Sequence, residues 1–504
     1  MAMNYKAYFF IIMLSFCLQS LVSAQVLPGK LDTIKSAILN QKRIIQVILP
    51  DKYKPGSADK YDVLYVLDGD GNTKPAADFQ YFEEGAGAMP PIIIVSIFNI
   101  NGTLDFTPVS LPDGKPSGGA DKFLGFFKNE LIPYINKTYP SNGDNTIFGH
   151  SLGGLFVMYA LLNDPLVFKS YIAADPSLWF GHYYVNQIAV DKLPGLANLN
   201  RTLYMGGREG IPYKEMGIFS MDSILKKYAP AGFNWKDHAY FNETHNSMRL
   251  KTMQDGFEYT YAGFSSAPVQ FYPMNGILLK NKPVNIWVDG DYSNLRYTTD
   301  GSQPSMASPK WSGEISITAP AKLTVKSFTN RSRYDKTATG EFKIGAVLPP
   351  LSERDKFKPG GFNYAYYEGG FDKSSSFEKL TPKLTGITDD TFDINKLPGQ
   401  NNFALLIDGE IEIKEDGYYL FGLASDGGSK LYLNNQIMIN YDGSHSGGKV
   451  QSYILPLAKG FYPLHLEYLH KDGSPDLKLT YLAPADMATQ KLVPIPFELQ
   501  NSGK

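Results

Sequence analysis

Residues 146–162 read TIFGHSLGGLFVMYALL, and this segment combines three features in a fixed order. The apolar run Thr146-Ile147-Phe148 indicates a short buried strand, and the apolar run after Gly154 predicts a buried helix. Between them lies Gly149-His150-Ser151-Leu152-Gly153, in which glycines on both sides of a serine permit a sharp turn. A serine that merely caps the helix is the alternative. The order of the features predicts that Ser151 projects its hydroxyl from a tight turn between strand and helix.

The alternation of strands and helices continues on both sides of this segment, from about residue 42 to residue 246. Apolar residues recur at helical spacing around Phe123 and again around Ile218. Further strand-like apolar runs occupy residues 63–67, 92–97, 171–173 and 202–205. Continuous apolar runs are typical of strands that are covered on both faces. The N-terminal region is therefore predicted to be an α/β domain, a mostly parallel sheet with helices on both faces.

The pattern changes after about residue 265. Helical periods fade, and short alternating strands are separated by Asp-Gly and Gly-Gly turns, which predicts an all-β region. The proline-rich connector Leu348-Pro349-Pro350 divides this region into a smaller and a larger part. The predicted organisation is a signal peptide at 1–24, an α/β domain at 25–265, a small β-sandwich module at 266–346 and a β domain at 347–504.

The composition indicates a folded protein and argues against a polyanionic partner. Of the 504 residues, 43% are hydrophobic and 19% are charged, which is typical of globular chains. The formal net charge is only -2, so no overall positive field would attract a polyphosphate. We therefore do not expect nucleic acid as a partner.

The N-terminus has the pattern of a signal peptide. Lys6 precedes an apolar run from Ala7 to Cys17, and the small residue Ala24 precedes Gln25. The apolar run is short for a membrane span, which needs about 20 residues, although a retained anchor is the alternative. Cys17 is the only cysteine, so the mature chain would contain no disulfide or zinc-thiolate site. We predict export to the periplasm, the outer surface or the medium, with no membrane span in the mature chain.

A serine hydroxyl becomes a nucleophile when a histidine, held by a carboxylate, takes its proton. Around such turns the chain order is serine, acid, histidine. His245 is the expected base because it follows a strand-like run in a loop, where catalytic residues of open α/β sheets collect. His238 reads as a strand position, and His182 precedes the strand at 202–205 from which we expect the acid. A solvated loop histidine is the alternative reading of His245.

Glu209 is the expected acid, because it lies just beyond the run at 202–205. Asp222 and Glu243 remain alternatives. The oxyanion of an acyl-transfer reaction needs main-chain N–H donors, and the residue after the nucleophile, Leu152, should supply one. Asp70, in the glycine-rich segment after the run at 63–67, is the second candidate, with a plain Asp-Gly hairpin turn as the alternative.

Four separate segments resemble the esterase D group of α/β-hydrolases. They are Tyr61 to Gly69, Asp105-Phe106-Thr107-Pro108, Gly149 to Gly154 and Pro176-Ser177-Leu178-Trp179. The group includes carbohydrate esterase family 1, with feruloyl and acetylxylan esterases, as well as ferric-enterobactin-type siderophore esterases and mycolyltransferases. Over about residues 31–263 the resemblance implies Ser151 as nucleophile, His245 as base and main-chain donors at Asp70 and Leu152.

The chain departs from that group at two positions. Members often carry an arginine just before the Asp-Phe-Thr-Pro segment, where this chain has Leu104, and the acid is commonly aspartate, where Glu209 must serve here. The first departure removes the anion-binding role that this position would imply. The second leaves the acid as the least supported member of the expected triad.

The all-β region resembles two known modules. Residues 269–342, with Leu295 to Pro304 and Leu323 to Phe328, are similar to the chitobiase/hexosaminidase C-terminal β-sandwich. Residues 355–485, with Asp416 to Phe421, Ser425 to Leu433 and Gly460 to Tyr468, resemble a PA14 domain. PA14 domains include carbohydrate binders, some of which hold calcium through paired aspartates. Gly427 stands at the second position of such a pair and offers no oxygen ligand, so no metal or cofactor is predicted.

These resemblances imply a serine esterase that removes acyl groups from a polysaccharide, with Trp179 as a candidate for the substrate pocket. A siderophore or other small-ester hydrolase shares the chemistry but needs no module that contacts glycan. A carbohydrate-binding protein with an inert hydrolase domain is the third hypothesis. Ser151 and His245 weigh against the inert domain.

Overall fold

The computed structural model describes residues 29–501 except 113, 197–198, 291, 352–357, 360, 372–379, 389–393, 395–396, 400, 444, 446–448 and 495–499. The predicted signal peptide, residues 1–24, lies outside the described residues. The chain divides into two compact units, residues 1–264 and 265–504.

Eight strands form the sheet of the first unit, in the order β1-β2-β4-β3-β5-β6-β7-β8. β1 pairs antiparallel with β2, and β2 antiparallel with β4, whereas all other neighbours are parallel. The strands are β1 (Lys30–Ser36), β2 (Gln41–Ile48), β3 (Tyr61–Val66), β4 (Ile92–Ile97), β5 (Ser141–His150), β6 (Ser170–Ala174), β7 (Thr202–Arg208) and β8 (Asn234–Tyr240).

Nine α-helices accompany these strands within the described part of the first unit, besides one 3-10 turn and one π-helical turn. They are α1 (Gly69–Gly85), α2 (Gly102–Phe106), α3 (Ala120–Phe126), α4 (Ile132–Thr138), α5 (Leu152–Asn163), α6 (Phe180–Lys192), α7 (Ile211–Glu215), α8 (Ile218–Tyr228) and α9 (Met248–Thr260). A π-helical turn, Phe127–Leu131, joins α3 to α4. In the part of the chain that the structure describes, no helix combines the length and the apolar character needed to cross a bilayer.

Burial on both faces of the central strands explains why their sequences are apolar throughout. Every residue of β3, β4 and β6 is buried. On one side, Phe123 and Phe127 pack edge to face, with ring centroids 5.2 Å apart, and Phe156 of α5 joins them. Each fully buried aromatic side chain contributes about 1.5–3 kcal/mol. The predicted α/β class is confirmed, and this packing fixes the carboxyl ends of the parallel strands along one edge.

The described part of the second unit contains strands and, as helix, only short 3-10 turns. Its strands are β9 (Gln270–Tyr272), β10 (Asn275–Leu278), β11 (Val284–Asp289), β12 (Leu295–Thr298), β13 (Ile315–Ile317), β14 (Ala321–Ser327), β15 (Lys336–Ile344), β16 (Lys358–Pro359), β17 (Asn363–Glu368), β18 (Leu384–Ile387), β19 (Phe403–Ile413), β20 (Gly417–Ser425), β21 (Ser429–Leu433), β22 (Gln436–Tyr441), β23 (Val450–Leu457), β24 (Gly460–His470), β25 (Leu477–Leu482), β26 (Val493–Pro494) and β27 (Gln500–Asn501). The predicted all-β character of this region is confirmed.

One sheet crosses the expected boundary at residue 346. Its order is β12-β14-β15-β10-β23-β20-β25-β26, so strands from both sides of the boundary share one hydrogen-bonded ladder. β10 joins them, because it pairs in parallel with β15 on one side and with β23 on the other. The hydrophobic cluster beneath is also shared, since Leu420 and Ile454 pack with Phe271 and Leu323. The two β parts are therefore built as one unit.

Candidate active site

Ser151 occupies the turn between β5 and α5, as its sequence context predicts. Its backbone adopts φ 58 and ψ -116, a conformation that costs a non-glycine residue about 1–3 kcal/mol. Gly149 makes the turn feasible, because a Cβ at that position would lie 2.3 Å from the carbonyl oxygen of Gly153. The Ser151 N–H donates to the carbonyl of Ala174 over 2.9 Å, which ties the turn to the end of β6.

Ser151, His245 and Asp175 form a continuous line of side-chain contacts. The Oγ of Ser151 lies 3.0 Å from Nε2 of His245, and Nδ1 of His245 lies 2.7 Å from Oδ2 of Asp175. The Asp175 side chain is fully buried, whereas the His245 side chain is 37% exposed. Because a carboxylate only accepts hydrogen bonds, Nδ1 of His245 carries a proton, and Nε2 of the neutral ring is left to accept one from the serine.

The expectation that Glu209 contacts His245 is wrong. Glu209 is exposed, and its N–H donates to the carbonyl of Tyr240 over 3.0 Å. The carboxylate that contacts His245 instead follows β6, the strand directly beside β5, whereas β7 lies one strand further away. Of the alternatives, Asp222 pairs with Lys226 and Glu243 accepts from Ser247.

Asp175 could have been found by the rule that was applied to Glu209. It follows the apolar run at 171–173 and keeps the order serine, acid, histidine. Arg208, the last residue of β7, also contacts this carboxylate, since its Nε donates to Oδ2 of Asp175 over 2.6 Å. The same carboxylate oxygen thus receives hydrogen bonds from both Arg208 and His245.

The two candidate oxyanion donors lie in the first turns of two helices. Leu152 begins α5, and Asp70 is the second residue of α1. The segment of Asp70 is therefore helical and is not an Asp-Gly hairpin turn. The first N–H groups of a helix have no partner within the helix and point outward. The two helix starts adjoin, since a Cβ at Gly153 would lie 3.1 Å from Oδ2 of Asp68.

His150 supports the loop that carries His245. Its Nε2 lies 2.7 Å from the carbonyl oxygen of His245, and the two ring centroids are 4.5 Å apart. Since a carbonyl only accepts, Nε2 of His150 carries the proton. Burial, reinforced by the neighbouring His245, lowers the pKa of His150 to about 4, so the ring is neutral at pH 7.

Asp68, at the start of α1, is a second perturbed group beside the turn. Burial raises the pKa of Asp68 to about 6, although a hydrogen bond from Asn99 opposes the shift. Its backbone is left-handed, with φ 54. The turn therefore lies among groups whose ionisation burial controls, as is common at functional sites.

Two further side chains border the serine. The Oγ of the buried Ser177 lies 3.2 Å from the Oγ of Ser151. Trp179, two residues later, is 48% exposed, and its place in a substrate pocket stays a prediction. Among the described residues, no group of three His, Cys, Asp or Glu side chains is arranged to hold a metal ion.

Comparison with family models finds three matches along the chain. Residues 36–187 match the model described as "Putative esterase", residues 285–342 the model "Fn3 associated", and residues 358–491 the model "PA14 domain". The esterase and PA14 resemblances are thereby confirmed, and the small β module matches under the Fn3-associated description.

Curated relatives match parts of the first unit. The siderophore enterobactin esterase of Emericella nidulans is 35% identical over 122 residues, which cover 22% of this chain and 40% of that protein. The ferri-bacillibactin esterase BesA of Bacillus subtilis is 31% identical over 167 residues, 29% of this chain and 58% of that protein. The chain thus spans about half the length of these relatives. A solved IroE-like serine hydrolase from Shewanella oneidensis is 30% identical, with a TM-score of 0.41, and the match covers 46% of this chain and 79% of that one.

Proposed function

We propose that this protein is an exported serine carboxylic-ester hydrolase that removes acyl groups, of acetyl or feruloyl type, from a polysaccharide. The observation that carries the proposal is the line of contacts from Ser151 through His245 to Asp175, at 3.0 and 2.7 Å. The match of residues 36–187 to an esterase model and the esterase names of the curated relatives support the same chemistry. The PA14 match supports a glycan contact through the β unit.

In the proposed reaction, the Oγ of Ser151 attacks the ester carbonyl while Nε2 of His245 takes the hydroxyl proton. The carbonyl π electrons move onto oxygen, and the N–H groups of Leu152 and Asp70 receive that oxyanion. The imidazolium then gives its proton to the departing alcohol, which leaves an acyl-serine. Water, activated by the same imidazole, releases the carboxylic acid.

Asp175 holds the imidazole of His245 in the required tautomer and stabilises the imidazolium. Its burial strengthens that interaction, because few waters screen it. Arg208 donates to the same carboxylate oxygen and helps to hold the carboxylate in position. Glu209 has no part in this mechanism.

A small-ester hydrolase of siderophore type is the second candidate. The curated relatives named above, a siderophore enterobactin esterase and a ferri-bacillibactin esterase, favour it. The β unit favours a polymer, since a diffusible ester requires no glycan contact. The two candidates share every residue of the proposed mechanism and differ only in the acyl and alcohol groups.

The proposal can be tested by labelling the full mature protein with a fluorophosphonate and locating the adduct by mass spectrometry. We expect one adduct, on Ser151, and turnover of p-nitrophenyl acetate that the adduct abolishes. Methyl ferulate, acetylated xylan and ferric enterobactin then separate the two candidates by their relative kcat/KM values. A protein that neither labels nor turns over any of these esters would instead be the inert carbohydrate-binding protein.

A further inference from the structure

We propose that Arg249 binds an anionic group of the substrate, so that the preferred ester carries a carboxylate or a comparable anion close to the scissile bond. This inference rests on the proposed esterase function and deepens it. The anion belongs to the acyl or to the alcohol part of the ester, and the experiment below has one arm for each.

Arg249 lies against the loop that is proposed to hold the oxyanion. It is the second residue of α9, four residues after His245. A Cβ at Gly71 would lie 2.7 Å from Nη1 of Arg249, so the guanidinium packs directly over the backbone of Gly71. Gly71 follows Asp70, the candidate donor. The lack of a side chain at Gly71 therefore leaves room for a cation beside the reacting carbonyl.

Among the described residues, Arg249 differs from the other three arginines of the first unit, each of which has a partner. Arg43 pairs with Asp105 at 2.8 Å, Arg208 pairs with Asp175, and Arg201 donates to the carbonyls of Pro165 and Asn200. Arg249 forms no ion pair or hydrogen bond with any described residue, and its Nε is buried without a hydrogen-bond partner.

A half-buried guanidinium without partners is costly unless a ligand supplies acceptors. Its planar fork matches the two oxygens of a carboxylate, which makes arginine well suited to bidentate recognition of such anions. The fold uses the other three arginines for its own contacts. Arg249 is the one whose donors stay available to a substrate.

The field of Arg249 reaches the groups that flank Ser151. It contributes to the lowered pKa of His150 and opposes the raised pKa of Asp68, whose carboxyl adjoins Gly153. A substrate anion held by Arg249 would consequently lie near the nucleophile rather than at a distant subsite. The proposed anion site therefore lies beside the proposed catalytic site.

The test compares matched neutral and anionic esters on the full mature protein. The acyl arm pairs p-nitrophenyl acetate with mono-p-nitrophenyl succinate, and the alcohol arm pairs O-acetyl methyl glucoside with O-acetyl methyl glucuronide. Ferric enterobactin tests a metal-catecholate anion. We expect Arg249→Gln to lower kcat/KM for at least one anionic ester about tenfold or more, mainly through KM, and to leave its neutral partner within about twofold. We expect Arg249→Lys to restore part of the loss.

Lys251→Gln is the matched control, because it removes a positive charge from an exposed position of the same helix and leaves Arg249 in place. We expect this variant to change kcat/KM only slightly, and by the same factor for the neutral and the anionic ester. A second measurement needs no variant: raising the ionic strength should lower kcat/KM of the wild type for the anionic ester more than for the neutral one.

Three outcomes would overturn the inference. An equal loss on neutral and anionic esters would mean that Arg249 acts on the oxyanion rather than on a substrate anion. Unchanged kinetics of Arg249→Gln would mean that it binds nothing that matters for turnover. In both cases hydrolysis by the wild type would leave the esterase proposal standing, whereas a wild type that hydrolyses none of these esters would overturn both.

Discussion

The two units each contain a histidine paired with an aspartate, and the pairs are nearly identical in geometry. In the first unit, Nδ1 of His245 lies 2.7 Å from Oδ2 of Asp175, and in the second, Nδ1 of His470 lies 2.6 Å from Oδ2 of Asp426. Their surroundings differ. His245 is partly exposed and faces a serine on a strained turn, whereas His470 is fully buried at the end of β24.

The carboxylate of Asp426 is committed to the fold. Besides His470, it accepts from the hydroxyl of Tyr468 and from the N–H of Asp476. A His–Asp pair therefore does not by itself make a reactive site. Exposure of the histidine, and a serine hydroxyl on a strained turn 3.0 Å from its other ring nitrogen, distinguish the first pair.

Removing the hydroxyl of Ser151, the proposed nucleophile, should have the largest effect. We expect Ser151→Ala to lower kcat for p-nitrophenyl acetate by about four orders of magnitude or more, because the covalent route is lost. Ser177→Ala is the control, since its hydroxyl lies 3.2 Å from Ser151 without contacting His245 in the described structure, and we expect a loss of less than about tenfold. Comparable losses in both variants would contradict the assignment of Ser151.

Removing the charge of each aspartate should separate the two pairs. We expect Asp175→Asn to lower kcat about 10³- to 10⁴-fold, because the amide no longer fixes the tautomer of His245. Asp426→Asn should leave kcat unchanged and lower the free energy of unfolding by about 1–3 kcal/mol, since a buried acceptor is lost. Glu209→Gln should change neither kcat nor the free energy of unfolding. A large loss of kcat in Glu209→Gln would restore the residue that the sequence favoured.

The next largest effect concerns the free energy of unfolding of the first unit, which should depend on pH. Because folding lowers the pKa of His150 from 6.5 to about 4, the unfolded chain binds a proton that the folded chain does not. The first unit should lose about 3 kcal/mol of stability from this group as pH falls from 6.5 to 4. Urea unfolding followed by the helical circular-dichroism signal, which comes mostly from the first unit, should show the loss.

His150→Gln isolates this contribution from that of Asp68, whose raised pKa acts in the opposite direction as pH rises from 3.8 to about 6. We expect the difference in stability between wild type and His150→Gln to shrink toward acid pH. A difference that does not depend on pH would show that His150 does not titrate as described.

The smallest effect concerns the free energy of unfolding of the second unit, which should decrease as pH rises. Burial alone would lower the pKa of His465, but the carboxylates of Asp408 and Glu467 outweigh it and raise the pKa to about 9. The stabilisation is therefore present below pH 6.5 and lost as pH rises toward 9. Solvent screens this partly exposed group, so we expect about 1 kcal/mol, measured as the pH-dependent difference between wild type and His465→Gln.

Much of the first unit could be predicted because its signals are local. The glycines around Ser151 and the apolar runs at 63–67 and 92–97 specify a turn and buried strands without reference to distant residues. His245 could be predicted because it follows a strand. The acid could not be chosen reliably, since the choice between Asp175 and Glu209 depends on which strand lies beside β5, and strand order is a property of the whole sheet.

In the second unit, too, local sequence patterns do not specify which strands pair. Its strands could be predicted from alternation and turns, but the pairing of Asn275 with Tyr453 joins residues far apart in the chain. No local pattern specifies such a parallel pairing. Arg249 was missed for a related reason, because its contact with Gly71 joins two residues that are far apart in the sequence.

The position of β10 limits how this protein can be divided or recombined. A chain cut at residue 346 would keep β10 but lose β23, so an interior strand would become a free edge that invites pairing with other molecules. Transplanting the last domain alone would likewise carry a sheet that lacks its neighbour. Residues 265–504 should therefore be transferred to another protein together, as a single cassette.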